Sequence, residues 1–425
     1  MTSLPRQIAP ISRPLRARVR VPGSKSLTNR ALLLAALSTG TTTLADALFS
    51  DDSCYLAEAL KELGFRMKPD KNRSEITLTG EGGTIPARMA DLFIGNAGTA
   101  ARFLTAFLTV GSGMYTVDGD ARMRERPMQD LVESLTVLGA SLQTANGKLP
   151  LKVVANGLRG GRTIVAGDIS SQFLSALLMV APCARNPVEI ILSTEINSRP
   201  YVDMTLSVMH DFGVEIERQE YERFQIRPAA YRSVSTYRIE PDASAASYFF
   251  AAPAVCGGSV RVENLSRKSA QGDLQFADVL EQMGCRVLEG NDFIEVSGPD
   301  TLKGVDVDMR DIPDTAQTLA AIAPFACSPT RIRGIASARF KETDRIHATC
   351  TELDRLGVQV EKHEDGMTIH PCRGVTSAAI QTYHDHRMAM AFSLIGLRAP
   401  GISIENPSCV SKTFPNFFEV LESLR

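Results

Sequence analysis

The sequence predicts an α/β protein built from six repeated units that group into two domains. Three observations support this fold class. The chain has 425 residues, more than one hydrophobic core usually holds. Two different helix patterns recur along it at a similar interval, and short β-rich runs bounded by Gly, Asp, Asn and Pro lie between the helices. Each unit therefore contains two helices and about four strands.

The first helix pattern is amphipathic and charged and ends in a glycine, as in LAEALKELGFRM and FADVLEQMGCRV. A helix with one Glu/Lys face lies on the outside of a domain. The glycine stands where a helix C-terminus favours a left-handed residue. These glycines recur about 70 to 75 residues apart, and they are Gly64, Gly139, Gly213, Gly284 and Gly357.

The second pattern is a polar head followed by a helix of small apolar residues, as in GSKSLTNRALLLAAL. A helix that is apolar all round is buried on every side and exposes only its N-terminal end. Polar residues at helix starts are ordinary N-caps, which remains one interpretation of each head. Six heads in register, several followed by Lys, Arg or Gln, also predict that the heads converge on a functional cleft. The heads are Ser24, Asn96, Ser170, Asp242, Asp314 and Asp385.

Composition and charge exclude several classes of protein. The chain is 44% hydrophobic and 22% charged, with a net charge of -2, which argues against a nucleic-acid binder with a broad basic face. Its eight cysteines show no CxxC spacing, so neither a zinc site nor a disulfide framework is indicated. The N-terminal region lacks the apolar stretch of a secretory signal, and no segment reads as a membrane span. We therefore expect a cytoplasmic protein.

Several charged residues exceed what helix caps require. Lys25 and Arg30 follow the first head, and further cations lie in the segments RMRERP, FKETDR and SKTFP. Each alone is ordinarily a solvated loop charge. Together at one cleft they would suit a substrate with more than one phosphate or carboxylate group, which Arg binds in a bidentate manner and Lys as a point charge.

Asp314, at the head of a buried helix beside such cations, and Glu342, between Lys341 and Arg345, are candidates for proton transfer. The alternative is that both are helix caps or ion-pair partners. His384 and His386 resemble a metal-binding pair, but no further ligand follows at a suitable spacing, so no metal site is predicted. Neither a Walker A loop nor a complete dinucleotide fingerprint is present, so no nucleotide cofactor is expected.

The motifs taken together resemble the enolpyruvyl transferases, and within that family the members that act on shikimate 3-phosphate. The segments that carry the resemblance run in family order from residue 23 to residue 415: GSKSLTNRALLLAAL, LFIGNAGTAARF, RMRERP, SSQFLSALL, SRPY, PDASAASY, IPDTAQT, RFKETDR, DHRMAMAFSL and SKTFP. The resemblance implies a two-domain inside-out α/β barrel of six βαβαββ repeats, three per domain, with buried parallel helices and the active site between the domains. It also implies domains at 22–240 and at 1–21 with 241–425, joined by a two-strand hinge near 21–24 and 238–242.

By resemblance the reaction moves the enolpyruvyl group of phosphoenolpyruvate to the 5-hydroxyl of shikimate 3-phosphate and releases phosphate, in aromatic amino acid biosynthesis. No metal or organic cofactor is implied, and a monomer is expected. The implied catalytic residues are Asp314, which would accept the hydroxyl proton, Glu342, which would exchange a proton with the methylene carbon, and Lys25, His386 and Lys412. The implied shikimate 3-phosphate ligands are Lys25, Ser26, Arg30, Ser170, Ser171, Gln172, Ser198, Tyr201, Asp314, Ser337 and Lys341. The implied phosphoenolpyruvate ligands are Lys25, Asn96, Gly98, Arg126, Gln172, Arg345, Arg387 and Lys412.

Two alternatives remain from the sequence. The sister transferase that acts on UDP-N-acetylglucosamine usually carries a Cys in the mobile loop that here reads DGDARMRERP, and this loop has none. A non-catalytic relative that binds phosphometabolites would be expected to lose Asp314 or Glu342, and both are present. Ser337 stands where the family often has Asn.

Overall fold

Helices and short strands alternate along the chain, which a computed structural model describes over residues 4–425. The α-helices of this part are α1 Lys25–Leu37, α2 Asp51–Glu62, α3 Gly98–Leu108, α4 Gln129–Val137, α5 Ser171–Val180, α6 Arg199–Asp211, α7 Ala243–Cys256, α8 Phe276–Gln282, α9 Ala316–Ile322, α10 Arg345–Arg355, α11 His386–Arg398 and α12 Phe417–Glu422. The strands are β1 Arg6–Ile8, β2 Leu15–Val19, β3 Thr39–Ala45, β4 Met67–Asp70, β5 Glu75–Glu81, β6 Met89–Phe93, β7 Ser112–Asp118, β8 Ser141–Thr144, β9 Leu151–Asn156, β10 Gly161–Val165, β11 Val188–Leu192, β12 Glu217–Gln219, β13 Arg223–Ile226, β14 Thr236–Arg238, β15 Gly258–Glu263, β16 Arg286–Glu289, β17 Phe293–Ser297, β18 Asp306–Asp308, β19 Thr330–Arg333, β20 Val360–Lys362, β21 Met367–Ile369, β22 Ala378–Ile380 and β23 Ile402–Ile404.

The strands form small sheets of one repeated design. In the described residues, five sheets have four strands, with orders β14-β3-β5-β4, β6-β7-β9-β8, β10-β11-β13-β12, β2-β15-β17-β16 and β18-β19-β21-β20. In each, the first strand pairs in parallel with the second, and the remaining pairs are antiparallel. The sixth sheet, β22-β23-β1, has the same parallel and antiparallel start without a fourth strand. The predicted α/β class and its repeats are confirmed.

The chain divides into two compact units, one at residues 23–239 and one from the first described residue to Pro22 together with Glu240–Arg425. Each unit completes a sheet with a strand that is distant in sequence. In the 23–239 unit, β14 from its C-terminal end lies parallel to β3 from its start. In the other unit, β2 from the N-terminal part lies parallel to β15. The two ends of each unit are thereby joined by backbone hydrogen bonds.

The apolar helices form the cores, as their composition predicts. Helices α1, α3 and α5 pack in the 23–239 unit, and α7, α9 and α11 pack in the other unit. Every residue of α3 and of α9 is buried. The charged helices between them bury one face only, as α10 does. The five glycines that end such helices all have positive φ angles, from 77° to 99°, which confirms their predicted place at helix C-termini.

Candidate active site

In the 23–239 unit, helices α1, α5 and α6 enclose a buried arginine. Arg30 is 2% exposed, and its Nε donates to Thr205 Oγ1 at 2.8 Å. Its Nη1 donates to the carbonyl of Ser26 at 3.0 Å, and Nη2 donates to the carbonyl of Tyr201 at 3.0 Å and to Ser175 Oγ at 3.3 Å. Burial lowers the pKa of Arg30 to about 10, which leaves it charged at neutral pH. These four acceptors are neutral oxygens, so they orient the cation without cancelling its charge.

A second arginine of this unit lies at the head of α3. Arg126 is 4% exposed, and its Nη1 lies 3.2 Å from Asn96 Oδ1 and 3.3 Å from the Asn96 carbonyl oxygen. A Cβ at Gly98 would lie 2.4 Å from Arg126 Nη2, so only glycine leaves this arginine its place. Gln172 Nε2 donates to Thr99 Oγ1 at 3.3 Å and so connects the heads of α5 and α3. We call Arg30, Arg126 and the residues that accept from them the arginine cluster; these residues are Ser26, Asn96, Ser175, Tyr201 and Thr205.

The remaining predicted residues of this unit lie at or beside the same heads. Lys25 is the first residue of α1, and its Nζ lies 3.4 Å from Asp52 Oδ2. Ser170 caps α5 by accepting from Gln172 N at 3.3 Å, and Ser171 is the first helical residue. Ser198 precedes α6 in the left-handed conformation, with φ +61°, which a side-chain-bearing residue adopts at a cost.

In the other unit, one arginine binds three carboxylates. Arg345 is 3% exposed and donates to Asp385 from Nε at 2.7 Å, to Asp314 from Nη1 at 2.9 Å and to Glu342 from Nη2 at 2.8 Å. Burial alone would lower the pKa of Arg345, but the three carboxylates outweigh burial and raise it. The guanidinium therefore fixes both predicted proton-transfer groups relative to each other.

Three further cations approach the same two carboxylates. Arg387 Nη2 lies 2.7 Å from Asp314 Oδ2, and Lys341 Nζ lies 3.9 Å from Asp314 Oδ1. Lys412 Nζ lies 3.8 Å from Glu342 Oε1. We call this group, with Arg345 and Asp385, the carboxylate cluster. It brings together carboxylates that can give and accept protons and cations that can bind an anionic substrate.

Sequence comparisons decide the family. A model of the family EPSP synthase (3-phosphoshikimate 1-carboxyvinyltransferase) matches residues 10–421. A relative from Nostoc sp., named 3-phosphoshikimate 1-carboxyvinyltransferase, is 50% identical over 413 residues, which cover 97% of each chain. A relative of the same name from Trichormus variabilis is also 50% identical with the same coverage. The chain belongs to the EPSP synthase family.

The solved structures agree with this family. An EPSP synthase from Acinetobacter baumannii superposes with a TM-score of 0.83 at 26% identity, covering 99% of this chain and 98% of that one. Members of the EPSP synthase family are transferases, and the family and its relatives support 3-phosphoshikimate 1-carboxyvinyltransferase activity for this chain. The alternative acceptor UDP-N-acetylglucosamine is not favoured by these matches.

Two predicted residues lie at the edge of the carboxylate cluster. His386 begins α11, is fully buried, and its Nδ1 lies 3.4 Å from Asp385 Oδ1. Ser337 is 8% exposed in the 3-10 helix Ala336–Phe340, which packs against the 3-10 turn that carries Asp314. Among residues 4–425, no group of three or more His, Cys, Asp or Glu side chains is placed to hold a metal ion. No helix in this part of the chain has the length and hydropathy needed to cross a membrane.

The six heads divide into caps and other residues. Ser24, Ser170, Asp242 and Asp385 each accept a hydrogen bond from a backbone N–H in the first turn of their helix. The side chains of Asn96 and Asp314 accept from Arg126 and Arg345. The cap interpretation was therefore correct for four heads, and three heads bind arginines, because Asp385 both caps its helix and accepts from Arg345.

Sequence reasoning missed several residues around these clusters, among them Thr205 and Ser175, which accept from Arg30. Asp52 pairs with Lys25, but an acid in the first turn of α2 looks like an ordinary helix start. Asp385 was predicted as a head but not as a partner of Arg345. Tyr248 bonds Arg387, and Asp273 lies buried beside the head of α7. Tyr248 ends the segment PDASAASY but reads as part of an apolar helix, and Asp273 lies in none of the motifs.

Proposed function

We propose that the protein transfers the enolpyruvyl group of phosphoenolpyruvate to the 5-hydroxyl of shikimate 3-phosphate. The observation that carries this proposal is the pair Asp314 and Glu342, both held by the buried Arg345. An addition–elimination needs one group to accept the hydroxyl proton and another to exchange a proton with the methylene carbon. Two fixed carboxylates among cations supply both functions beside binding groups for an anionic substrate.

The proposed reaction has two stages. Glu342 donates a proton to the methylene carbon, which makes the neighbouring carbon electrophilic. The 5-hydroxyl oxygen attacks that carbon and gives its proton to Asp314, forming a tetrahedral intermediate that keeps its phosphate and carboxylate. Glu342 then takes a proton back from the methyl group, the carbon–oxygen bond to phosphate breaks, and inorganic phosphate leaves with the proton that Asp314 had accepted. Lys25, Lys412 and His386 would stabilise the departing phosphate.

The two substrates would use different sets of ligands. We assign phosphoenolpyruvate to cations and amides, because its phosphate and carboxylate call for charged donors; they are Lys25, Asn96, Gly98, Arg126, Gln172, Arg345, Arg387 and Lys412. We assign shikimate 3-phosphate to residues that also offer hydroxyls for a polyhydroxylated ring; they are Lys25, Ser26, Arg30, Ser170, Ser171, Gln172, Ser198, Tyr201, Asp314, Ser337 and Lys341.

We also propose the boundaries and setting of the protein. The domains would be 22–240 and 1–21 with 241–425, the chain crossing between them near 21–24 and 238–242, and both domains would contribute residues to the reaction. The eight cysteines are free thiols, which suits the reducing cytoplasm. A monomer carries a complete set of the assigned residues, and sedimentation of the purified protein would test that state.

Phosphate release tests the function directly. Release should require phosphoenolpyruvate and shikimate 3-phosphate together, and the product should contain the enolpyruvyl group at the 5-oxygen by mass spectrometry and NMR. Shikimate without its phosphate, UDP-N-acetylglucosamine and each substrate alone serve as controls. Release with UDP-N-acetylglucosamine in place of shikimate 3-phosphate would contradict the proposal, and so would the absence of release with either acceptor.

A further inference from the structure

Tyr248 is a buried tyrosine beside the carboxylate cluster that the proposed mechanism leaves without a role. It lies in the second turn of α7 and is 1% exposed. Arg387 Nη1 donates to its hydroxyl oxygen at 3.4 Å, while Nη2 of the same guanidinium binds Asp314 at 2.7 Å. A buried phenol group needs such a partner, because leaving its hydroxyl unsatisfied costs free energy.

Other aromatic rings pack around the ring of Tyr248. We call Tyr248, Phe249, Phe414 and Phe417 the aromatic cluster. The Tyr248 and Phe417 rings meet edge to face, with centroids 5.7 Å apart and an interplanar angle of 76°. Phe417 in turn contacts Phe414 at 5.6 Å and 74°. Phe414 is two residues beyond Lys412, so the cluster supports the segments that carry both Arg387 and Lys412.

The chemistry of a phenol suits this place better than a carboxylate would. Burial raises the pKa of Tyr248 to about 12, so the group stays neutral throughout the physiological range. A neutral acceptor orients the arginine without removing its positive charge. The carboxylate of Asp314, which binds Nη2 of the same guanidinium, offsets that charge.

We propose that Tyr248 is a positioning residue for Arg387, holding the guanidinium in the orientation that binds the anionic groups of phosphoenolpyruvate. This inference rests on the proposed function, because it assigns Arg387 to that substrate. It extends the function to a residue that touches neither substrate. The aromatic cluster then acts as the rigid support of an anion-binding arginine.

Tyr248→Phe removes the hydroxyl and keeps the ring. We expect the KM for phosphoenolpyruvate to rise roughly fivefold, as loss of one hydrogen bond to a charged group predicts. The KM for shikimate 3-phosphate and kcat should change by less than about twofold. Tyr231→Phe is the matched control, because Tyr231 is 2% exposed and its hydroxyl donates to the Met179 carbonyl at 2.8 Å in the 23–239 unit. The control should lose comparable thermal stability and leave both KM values unchanged.

A double-mutant cycle separates positioning from a general structural effect. In an Arg387→Lys background, Tyr248→Phe should add less than about twofold to the KM for phosphoenolpyruvate, because no guanidinium remains to be oriented. Equal increases in both KM values, or the full effect in the lysine background, would overturn the proposal. If the wild type transfers the enolpyruvyl group and Tyr248→Phe has a normal KM, only this inference fails. A wild type without that activity would defeat the proposed function itself.

Discussion

The two clusters use buried arginines in opposite ways. In the arginine cluster, Arg30 donates to hydroxyl and carbonyl oxygens, which are neutral. In the carboxylate cluster, Arg345 and Arg387 bind ionisable acids. Neutral acceptors leave a buried cation available to an anionic ligand, whereas carboxylates cancel its charge until a ligand competes for it.

This difference separates two requirements of the proposed chemistry. A cluster that only holds an anion does best with fixed cations and neutral supports. A cluster that also moves protons must contain carboxylates, and these need cations to remain stable when buried. Lys25 departs from the pattern, because it pairs with Asp52 at 3.4 Å inside the 23–239 unit. The proposed contact of Lys25 with both substrates therefore requires a substrate anion to share the lysine with Asp52.

The largest expected effect comes from the two proton-transfer candidates. Asp314→Asn and Glu342→Gln should each lower kcat by about a hundredfold or more, because each removes an acid–base group and keeps the shape of the side chain. Steady-state phosphate release measures this effect. Asp306→Asn is the control, since Asp306 also pairs with an arginine, Arg333, at 2.6 Å but is exposed. Near-normal turnover in either isosteric variant would refute the role assigned to that residue and leave it as a structural ion-pair partner.

A second effect should run against the first. Asp314→Asn removes the negative charge that competes for Arg345 and Arg387, so phosphoenolpyruvate alone should bind roughly tenfold more tightly even though turnover is lost. Calorimetric titration without shikimate 3-phosphate measures this change, and the wild type and Asp306→Asn serve as references. Unchanged or weaker binding would show that Asp314 does not occupy the anion-binding arginines.

The arginine cluster should respond only in affinity. Thr205→Val removes the oxygen that accepts from Arg30 Nε at 2.8 Å, and valine has nearly the same shape as threonine. We expect the KM for shikimate 3-phosphate to rise roughly three- to fivefold, with kcat almost unchanged.

Thr318→Val supplies the comparison for the loss of a buried hydroxyl. Thr318 is fully buried in the other unit, where its hydroxyl bonds to Ser247 Oγ at 3.0 Å. Thr318→Val should lower the melting temperature about as much as Thr205→Val does, and it should leave both KM values unchanged. A fall in kcat in Thr205→Val would mean that the arginine cluster does more than bind.

The repeat and the buried helices could be predicted because both leave direct marks in a sequence. A helix buried on all sides, such as α9, has no room for charge, and a helix end in the left-handed region favours glycine, as at Gly284. The interval between these glycines then gives the length of one repeat. The family motifs added the cations and acids of both clusters, but assigned no role to Thr205 and Ser175, which accept from Arg30.

What the sequence could not provide was the choice between a cap and a ligand. Aspartate performs both functions with the same side chain, so Asp242 and Asp314 look alike at the heads of two helices. Only the tertiary partner distinguishes them: Asp242 accepts from the backbone of Ala245, whereas Asp314 binds Arg345. Tyr248 was hidden for the same reason, since a tyrosine in an apolar helix reads as core until its hydroxyl is seen beside Arg387.

The smallest expected effect concerns the stability cost of a buried acid beside the carboxylate cluster. Asp273 is 4% exposed and bonds the hydroxyl of Ser244 in the first turn of α7. Burial raises the pKa of Asp273 from 3.8 to about 6, and the charge of Asp314 adds to this shift. The hydrogen bond from Ser244 and the charge of Arg387 act in the opposite direction and lower the pKa. The charge of Asp242 on α7 acts in the same direction as that of Asp314.

The sign of the pH dependence follows from this shift. Between about pH 4 and pH 6 the folded protein keeps a proton that the unfolded chain has released, so stability falls as the pH rises and the full cost stands above pH 6. Asp273→Asn removes a cost on the order of 2 to 3 kcal/mol and keeps an oxygen that can accept from Ser244. Its melting temperature should exceed that of the wild type by several degrees near pH 7.5, and the difference should shrink towards pH 4. Asp300→Asn, at an exposed aspartate, should show no difference at either pH. A pH-independent change in Asp273→Asn would mean that packing, and not a buried charge, sets its effect on stability.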